Sequence, residues 1–455
     1  MNVTVAELAE LLGGRISGAQ PAALLTGFAT DSREAGPGIA FLAIKGARVD
    51  GHDFATEVIS AGSPVMVVER EVNAPYILVS NLISALAKAG NTLRKQFDGP
   101  VVGVTGSNGK TTTKEFVAAA LSTLGPVLKN EGNRNTEYTS PLVWFDRQTE
   151  HRSAVIEMGM RGFGQIDHLA RIAEPTIGII TNIGTAHMEM VESRAGIAKA
   201  KSELIELLPA NGYAILPRDD EYFDDLRNRA AGQVVTFAFL QEADAQILGY
   251  RPESTGASIQ LRWESQSYGM QLPMVGRHQA LNAAAAFAAA VCAGGDPGAV
   301  AAAIANSEPP PMRMEIKAWR GLSVIFDAYN SSPDSTRAAI QTLLELPASG
   351  ERVAVLGEMK ELGEYTESGH RAVGSMIAEG GIDRVILIGP DMEYAKEAAI
   401  AGGYPSERIT SFEYLQYDQI QAKILNSSPE SVVLIKGSRS LALENLLRDE
   451  AGSKA

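Results

Sequence analysis

Short apolar runs rich in valine and isoleucine alternate along the chain with longer segments of mixed apolar and polar residues. The clearest runs lie at residues 101–104, 154–156, 177–181, 353–356, 385–388 and 432–435. Continuous apolar runs of this length are typical of buried strands in parallel sheets, and the segments between them have the length of helices. The pattern predicts an α/β protein with largely parallel sheets.

Two stretches of strong turn residues interrupt this rhythm, FDGP at residues 97–100 and SEPPP at residues 307–311. A chain of 455 residues is long enough for about three domains of roughly 150 residues each. We therefore predict domains at residues 1–98, 99–311 and 312–455. Weak alternation between residues 237 and 271 predicts antiparallel strands appended to the middle domain.

Composition and charge narrow the function classes. A net charge of −14 argues against non-specific binding to nucleic acid or to anionic lipid. Glu7 and Glu10 interrupt the N-terminal apolar residues at helical spacing, which predicts an amphipathic helix rather than a signal peptide. The most apolar stretch, residues 281–305, is broken by Asp296, so we expect no membrane span. The single cysteine, Cys292, cannot form an internal disulfide, which fits a reducing, cytoplasmic location.

The stretch VVGVTGSNGKTTTKEF, residues 101–116, predicts a strand, a tight turn and a helix in that order. Glycines let backbone N–H groups approach phosphates, and the helix N-terminus adds donors and partial positive charge. Lys110 would counter the charge of the β- and γ-phosphates, and the Thr111 hydroxyl would bind Mg²⁺. The alternative is an ordinary strand-to-helix turn with an incidental lysine. The order of strand, turn and helix favours nucleotide binding.

The spacing of this turn is more restricted than that of the general phosphate loop G-x-x-x-x-G-K-[ST], which would need glycine where Val104 stands. T-G-S-N-G-K-T-T instead resembles the ATP loop of the Mur ligase family, T-G-x-[NS]-G-K-[TS]. That family comprises ATP-dependent amide-forming ligases that build the peptide of bacterial cell-wall precursors. The resemblance implies ATP contacts from Thr105, Gly106, Ser107, Asn108, Gly109, Lys110, Thr111 and Thr112.

The resemblance also implies a three-domain α/β architecture. A small N-terminal domain would bind a uridine nucleotide, and a central P-loop ATPase-like domain would hold ATP. A C-terminal Rossmann-like domain would bind the incoming amine and close on the ATP.

Two further segments suggest metal ligands. In SAVIEMGM, Glu157 ends an apolar run and so stands at the mouth of a strand, where a hard cation would find oxygen. By itself such a glutamate is more often solvated or capping. The resemblance implies a metal-binding glutamate here, and ITNIGTAHMEM resembles N-I-G-x-A-H, whose histidine, His187, contacts a second Mg²⁺. Without the family, a histidine after a strand would more often be structural.

A lysine pair follows in SRAGIAKAKSELI. Lys199 and Lys201 are two residues apart and point roughly 200° apart on a helix, so only one can face the site. The matching family lysine is Lys201, which the resemblance implies to be carbamylated by CO₂ and to bind metal through two oxygens. Such a reaction requires a depressed amine pKa.

Two segments further along carry nucleotide contacts of the family. VGRHQALNAAAA resembles the helix start G-x-H-N-x-x-N-x-x-A-A, with Gln279 in place of the first asparagine and Asn282 retained as a nucleotide contact. PPPMRMEI places Arg313 where the family has an arginine that reaches the ATP phosphates.

IFDAYNSSPDS resembles the family segment D-x-Y-N-x-x-P-x-S. The resemblance implies that Asp327 contacts the ribose or ATP, that Tyr329 stacks on adenine, and that Asn330 and Ser331 lie near the incoming amine. An aromatic residue at a strand end is an equally good reading of Tyr329 by itself.

The substrate is suggested by VLGEMKELGEY and VLIKGSRSLALE, which are typical of the family member that joins D-alanyl-D-alanine to UDP-N-acetylmuramoyl-tripeptide. The D-N-P-R run of the sibling that adds a diamino acid is absent from the sequence. Residues 30–54 resemble the uridine-nucleotide-binding domain of both siblings, with Ser32, Lys45 and Gly46 as candidate diphosphate contacts.

One departure affects the predicted muramoyl-peptide site. The family pattern G-N-x-N-N-x-[IL]-G-x-P-L appears here as GNRNTEYTSPL. Asn133 and Asn135 are retained as substrate contacts, while Thr136 replaces the next asparagine.

The resemblance thus implies an ATP-dependent acid–D-amino-acid ligase of peptidoglycan synthesis that acts through an acyl phosphate, with two Mg²⁺ ions and a carbamate on Lys201. We expect a monomer with no nucleic-acid partner. The alternatives are a sibling ligase that adds a diamino acid or glutamate, and a nucleotide-switched binding protein without ligase activity. A kinase is disfavoured because only the glycine loop would resemble one.

Overall fold

The computed structural model describes residues 1–46, 49–132, 134–185, 188–360 and 362–448. From the N-terminus to residue 98 the elements are β1 (Val3–Thr4), α1 (Val5–Leu12), β2 (Arg15–Ser17), β3 (Leu24–Leu25), β4 (Gly27–Ala29), β5 (Ile39–Leu42), α2 (Ala55–Ser60), β6 (Val65–Val68), β7 (Tyr76–Leu78) and α3 (Leu82–Arg94).

From residue 99 to residue 311 they are β8 (Val101–Thr105), α4 (Lys110–Leu121), β9 (Val127–Lys129), β10 (Ser153–Glu157), α5 (Gln165–Ala173), β11 (Ile177–Ile180), α6 (Met188–Val191), α7 (Arg194–Glu206), β12 (Tyr213–Pro217), α8 (Phe223–Arg229), β13 (Gln233–Ala238), β14 (Ala245–Glu253), β15 (Gly256–Trp263), β16 (Gln266–Leu272), α9 (Arg277–Cys292) and α10 (Pro297–Ala305).

From residue 312 onward they are β17 (Glu315–Trp319), β18 (Leu322–Asp327), α11 (Pro333–Glu345), β19 (Arg352–Gly357), α12 (Thr366–Ala378), β20 (Arg384–Ile388), α13 (Met392–Ala401), β21 (Ile409–Phe412), α14 (Tyr417–Leu425) and β22 (Val432–Lys436). The six apolar runs of the sequence coincide with β8, β10, β11, β19, β20 and β22. The predicted α/β class with largely parallel sheets is therefore confirmed.

The chain forms two compact units, and their boundary falls within β8. The first unit consists of Met1–Gly103, Gly125–Met160 and Gly164–Thr176. The second consists of Val104–Leu124, Arg161–Phe163 and the described residues from Ile177 onward. The domain boundaries predicted from the sequence remain a prediction.

The first unit contains a five-stranded sheet in the order β2-β7-β6-β5-β4, in which only the β2–β7 pair is antiparallel. Helices α1 and α3 pack on it through apolar residues such as Leu8 and Leu86. The N-terminal helix is amphipathic as predicted. Its first turn has a capping box, because the Glu7 N–H donates to Thr4 Oγ1 and the Thr4 N–H donates to Glu7 Oε2. Strands β9 and β10 form a parallel pair in the same unit.

The second unit contains two groups of strands. Strands β11, β12, β13 and β14 run parallel, and β15 and β16 continue the sheet in antiparallel fashion. These last strands confirm the antiparallel segment predicted between residues 237 and 271.

No helix among the described residues is long and apolar enough to cross a membrane. Cys292 is half-buried, and burial raises the pKa of its thiol to about 12, so the thiol stays protonated at neutral pH.

The other group of strands in the second unit is a six-stranded sheet in the order β17-β18-β22-β19-β20-β21, and only β17 is antiparallel. The chain passes from β18 through α11 to β19, while β22 lies between these two strands. Ligands of open α/β sheets bind at such switch points, beyond the carboxyl ends of the strands.

A buried ion pair lies at this switch point. Asp327 and Lys436 are register partners at the ends of β18 and β22, and Lys436 Nζ donates to Asp327 Oδ2 over 2.6 Å. Lys436 also donates to the Asn330 carbonyl oxygen, and the Met314 N–H donates to Asp327 Oδ1. The Lys436 side chain is 1 % exposed. Removal of either charge would leave the other one uncompensated.

We predict that Lys436→Met lowers the opening free energy of β18 and β22 by about 3 kcal/mol, because Asp327 would then be a largely buried carboxylate without its cation. Hydrogen exchange of peptides from these strands, followed by mass spectrometry, would then be roughly a hundredfold faster. The double variant Asp327→Asn/Lys436→Met should recover most of the loss. Lys396→Met, which removes a lysine of α13 whose side chain is 34 % exposed, serves as control. Wild-type exchange in Lys436→Met would contradict the prediction.

Candidate active site

Residues 106–109, called the glycine loop below, join β8 to α4 as the sequence predicts. Two glycines are required by space. A Cβ on Gly106 would lie 1.8 Å from Thr181 Oγ1, and a Cβ on Gly109 would lie 2.6 Å from Asn282 Oδ1. Gly109 also has a φ of +81°, which disfavours other residues. The loop therefore has its shape because other segments approach its backbone closely.

The segment after β11, residues 181–185, holds the glycine loop by hydrogen bonds. Asn182 Oδ1 accepts from the Asn108 N–H over 3.1 Å, and Asn182 Nδ2 donates to the Asn108 carbonyl oxygen over 3.0 Å. Thr181 Oγ1 donates to that same oxygen over 2.6 Å. Asn182 thus recognises the peptide groups on both sides of Asn108, and the loop conformation is fixed by side chains rather than by its own sequence alone.

Ser107 also hydrogen-bonds to the segment of residues 181–185. Its N–H donates to the Asn182 carbonyl oxygen over 3.1 Å, and its hydroxyl accepts from the Gly184 N–H over 2.9 Å. The Thr181 N–H donates to the Thr105 carbonyl oxygen, at the end of β8. Ser107 and Thr105 are both buried. Thr181, Asn182 and Gly184 therefore each hydrogen-bond to Thr105 or to the glycine loop.

Lys110 and Thr111 begin α4 directly after the loop. Lys110 Nζ donates to the carbonyl oxygens of Gly106 and Ser107, at 2.8 and 3.3 Å. The ammonium group therefore lies over the concave side of the loop, where it would meet the phosphates of a nucleotide. Thr112, the next predicted contact, is buried in the first turn of the helix.

Arg313 reaches the same place from beyond the proline-rich break. Its Nη2 donates to Thr111 Oγ1 over 3.2 Å, and its guanidinium carbon lies 4.1 Å from the centre of the Tyr329 ring. Stacking on the ring orients the planar cation. Two predicted ATP contacts, Arg313 and Tyr329, are thus brought together with the start of α4.

The backbone on both sides of Arg313 is strained. Met312 and Met314 have φ values of +59° and +52°, a left-handed conformation that costs about 1 to 2 kcal/mol for each non-glycine residue. Hydrogen bonds hold both residues in place: the Tyr329 N–H donates to the Met312 carbonyl oxygen, and the Met314 N–H donates to Asp327 Oδ1. Strain at a residue that faces a phosphate loop is typical of functional sites.

Asn282 lies in the first turns of α9 and is buried against Gly109. Its Nδ2 donates to Gln279 Oε1 over 2.9 Å. Gln279, which departs from the family pattern, therefore orients the retained asparagine.

The two lysines of α7 differ as predicted. Lys199 is exposed and lies over the Phe163 ring, while Lys201 is 1 % exposed. Burial holds the pKa of the Lys201 amine well below its usual range, and the positive charge of Lys110 lowers it further. Lys201 is the lysine whose surroundings favour the neutral amine.

Glu157 belongs to the first unit and ends β10. Its side chain is buried, Asn135 Nδ2 donates to its Oε1 over 2.7 Å, and the backbone of Glu157 is held at both N–H and carbonyl by the Asn130 side chain. Its other carboxylate oxygen, Oε2, is buried and has no hydrogen-bond donor within the described part of the chain. A buried carboxylate oxygen without a partner is costly unless it binds a proton or a cation. Predicted metal and substrate residues, Glu157 and Asn135, lie together.

The remaining predicted residues have other partners. Asp327 uses both carboxylate oxygens, for Met314 and Lys436. The Ser331 N–H donates to Asn330 Oδ1 over 2.8 Å, and the Ser331 hydroxyl lies 3.1 Å from Thr336 Oγ1.

In the N-terminal region, the Ser32 hydroxyl donates to the Glu57 carboxylate, and the Gly46 N–H donates to the Val49 carbonyl oxygen. The backbones of Lys45 and Asp50 form an isolated antiparallel β-bridge. The structure therefore does not bring Ser32 into a hydrogen bond with Lys45 or Gly46. Asn133 and His187 lie outside the described residues.

Sequence reasoning missed three residues that shape the site. Asn182 belongs to the N-I-G segment, but no role is predicted for it from the sequence. Its position just after a strand could have suggested one, because the carboxyl ends of parallel strands meet at one edge of a sheet, where ligands bind. Lys436 stood in the V-L-I-K-G-S-R segment, and only its 1 % exposure distinguishes it from a surface lysine. Asp334 accepts a hydrogen bond from the Thr185 N–H and follows a proline at the start of α11. Acidic residues are common at this position because they interact favourably with the helix dipole.

Three family models match the chain. The model described as Mur ligase family, catalytic domain, matches residues 25–107; the Mur ligase middle domain matches residues 104–290; and the Mur ligase, glutamate ligase domain, matches residues 312–439.

Individual proteins are similar over nearly the whole length. The UDP-N-acetylmuramoyl-tripeptide–D-alanyl-D-alanine ligase of Bacillus subtilis (strain 168) is 35 % identical over 453 residues, 98 % of each chain. A crystal structure of MurF from Acinetobacter baumannii superposes with a TM-score of 0.87 at 30 % identity, again over 98 % of each chain. MurF ligase from Thermotoga maritima in complex with ADP gives a TM-score of 0.80 at 30 % identity, over 92 % of this chain and 96 % of that one. The chain belongs to the Mur ligase family.

Proposed function

We propose that this chain joins D-alanyl-D-alanine to UDP-N-acetylmuramoyl-tripeptide at the expense of ATP, in the synthesis of peptidoglycan precursors. The main structural support for the proposal is the hydrogen bond from Arg313 to Thr111. Thr111 lies in the range of the middle-domain model and Arg313 in that of the glutamate ligase domain model, so residues from both ranges meet beside the glycine loop. The substrates follow from the relatives: proteins with that named activity are similar over 98 % of this chain.

The reaction needs ATP because a carboxylate does not acylate an amine unaided. A carboxylate oxygen of the tripeptide attacks the γ-phosphorus, the bond to the β-γ bridging oxygen breaks, and ADP leaves. The amine of the dipeptide then attacks the carbonyl carbon of the acyl phosphate. The tetrahedral intermediate loses phosphate and a proton, and an amide remains. Lys110 and Arg313 supply positive charge where negative charge moves between phosphoryl oxygens.

Two Mg²⁺ ions, when bound, would neutralise phosphate charge, and the chain offers oxygen ligands for such ions. In the first unit, Glu157 has the unpartnered oxygen Oε2 for this purpose. In the second unit, Thr111 has a hydroxyl beside the loop, and Lys201 as a carbamate would add two oxygens. The ADP-bound relative supports the nucleotide part of this proposal.

The carbamate of Lys201 is part of the proposal because its formation needs a neutral amine. The bond forms between the lysine nitrogen and the carbon of CO₂, and a proton is released. An ordinary lysine is a cation at pH 7, whereas burial and Lys110 lower the pKa of Lys201. The neutral fraction rises as the pH rises through this lowered pKa, so the reaction is favoured at a lower pH than for an exposed lysine.

We further propose that Asn282 and Tyr329 contact the nucleotide, and that Asn135, Asn330 and Ser331 contact the two peptides. A cytoplasmic location and a monomeric state remain predictions from the sequence.

The substrate assignment predicts which amine stimulates phosphate release. With ATP, Mg²⁺ and UDP-N-acetylmuramoyl-tripeptide, D-alanyl-D-alanine should raise the rate of phosphate release at least tenfold, whereas lysine and diaminopimelate should not. A coupled phosphate assay measures the rate, and mass spectrometry identifies the amide. Stimulation by a diamino acid alone would show a sibling ligase. Nucleotide binding with no phosphate release would show a switch protein.

The carbamate predicts a carbon resonance that depends on one lysine. In ¹³C-labelled bicarbonate near neutral pH, the wild-type chain should show a protein-bound carbamate signal, and Lys201→Met should lose both this signal and most of the ligase activity. Lys199→Met is the matched control, since this exposed lysine lies two residues away on the same helix. Equal signals from the wild type and Lys201→Met would refute the assignment.

A further inference from the structure

Helix α11 has a carboxylate at each end that contacts residues matched by the middle-domain model. At its first turn, the N–H and Oγ1 of Thr185 both donate to Asp334 Oδ2, at 2.7 and 2.8 Å. At its last turn, Arg277 Nε donates to Glu345 Oε1 over 2.5 Å. The helix is therefore fixed at both ends, by a partly buried contact at its first turn and by an exposed one at its last turn.

Asp334 is not needed to cap its own helix. The Ser335 N–H donates to the Ser332 hydroxyl, and the Ser332 N–H donates to the Ser335 hydroxyl, which completes a capping box. The carboxylate of Asp334 is therefore available to Thr185, and both bonds are charge-assisted.

The approach of Asp334 depends on a glycine. A Cβ on Gly184 would lie 2.6 Å from Asp334 Oδ2, so any side chain at this position would displace the carboxylate. The Gly184 N–H is bonded on the other side to Ser107 Oγ of the glycine loop. Residues 184 and 185 thus lie between the phosphate loop and the first turn of α11.

The same segment is fixed from a third direction. The Ile183 N–H donates to Asp220 Oδ2 over 2.9 Å, and Arg194 Nη2 donates to the Ile183 carbonyl oxygen over 3.0 Å. Burial raises the pKa of Asp220, although its hydrogen bonds oppose that shift. With Asp334 on Thr185, the peptide groups of residues 183, 184 and 185 each have a hydrogen-bond partner outside the segment, and Asp334 contributes one of these partners from beyond residue 312.

The bond at the far end of α11 is more exposed. The side chains of Arg277 and Glu345 are 53 % and 28 % exposed, so solvent screens their attraction. The Glu345 pair therefore docks the helix without touching the phosphate loop segment, and it offers an internal comparison for Asp334.

We propose that Asp334 is a positioning residue for amide formation: through Thr185 it holds the first turn of α11 beside the phosphate loop, so that the amine reaches the acyl phosphate before water does. The proposal rests on the proposed ligase function. The acyl phosphate can react in two ways, with the amine to give amide and phosphate or with water to give the acid and phosphate. Each route releases one phosphate, so the ratio of amide to phosphate reports how well the site excludes water.

The test uses the full-length chain with ATP, Mg²⁺, UDP-N-acetylmuramoyl-tripeptide and D-alanyl-D-alanine, and it measures phosphate by a coupled assay and amide by liquid chromatography. In the wild type the ratio should be near one. Asp334→Ala should lower the ratio below about one half and lower kcat for amide formation at least tenfold. Asp334→Asn, which keeps an oxygen acceptor without the charge, should fall between them.

Glu345→Ala is the matched control, because it removes a carboxylate from the other end of the same helix. We expect a ratio near one and a kcat within twofold of the wild type. A general loss of stability would lower the kcat of both variants and would leave the ratio unchanged. Asp334→Ala with a ratio near one, or equal losses in both alanine variants, would overturn the proposal.

Thr185→Val provides a second arm if Asp334→Ala folds poorly. It keeps the backbone donor and removes the hydroxyl donor, so the ratio should fall partway, and Thr185→Ser should restore it. A normal ratio in Thr185→Val would count against the proposal. If the wild type joins a different amine, the proposed substrate is wrong, and the same ratio measured with that amine still tests Asp334.

Discussion

The close approach of Thr181 and Asn182 to a glycine loop is the contact on which the nucleotide site depends. Gly106 has no room for a side chain, since even one Cβ would meet Thr181 Oγ1 at 1.8 Å. The close approach that the glycine permits allows Thr181 and Asn182 to donate to the Asn108 carbonyl oxygen and allows Asn182 Oδ1 to accept from the Asn108 N–H. This accounts for the restricted spacing of the loop: the first glycine stands where the neighbouring strand end must pass, rather than two residues earlier.

The charged groups around the fixed loop depend on further contacts of their own. Lys110 lies over the loop, and Arg313 reaches Thr111 through a backbone strained at two methionines. Burial and the positive charge of Lys110 together lower the pKa of Lys201 and favour its neutral amine, which is the form that the proposed carbamate requires. The buried pair of Asp327 and Lys436 supports the strained turn through Met314. The site is thus built from mutually dependent electrostatic contacts rather than from independent ligands.

Much of the fold was predictable because it follows from local patterns. Continuous apolar runs marked the buried parallel strands, and weak alternation marked the region of the antiparallel pairs β14–β15 and β15–β16. Helical geometry placed Lys199 and Lys201 on opposite sides of α7. The family resemblance located the loop, Arg313 and Asn282. Asn182, Lys436 and Asp334 were not predictable, because an asparagine after a strand, a lysine in an apolar segment and an aspartate at a helix start all have common local explanations. Only tertiary contacts distinguish them.

The most direct test is the affinity for Mg²⁺-ADP of Asn182→Ala, measured by isothermal titration calorimetry. Loss of both amide bonds to Asn108 should weaken binding at least tenfold, which corresponds to about 1.4 kcal/mol, while the far-ultraviolet circular dichroism stays that of the wild type. Asn306→Ala is the control, because the side-chain amide of this exposed residue donates to the Ala302 carbonyl oxygen at the end of α10, away from the glycine loop. An affinity within twofold of the wild type in Asn182→Ala would contradict the account.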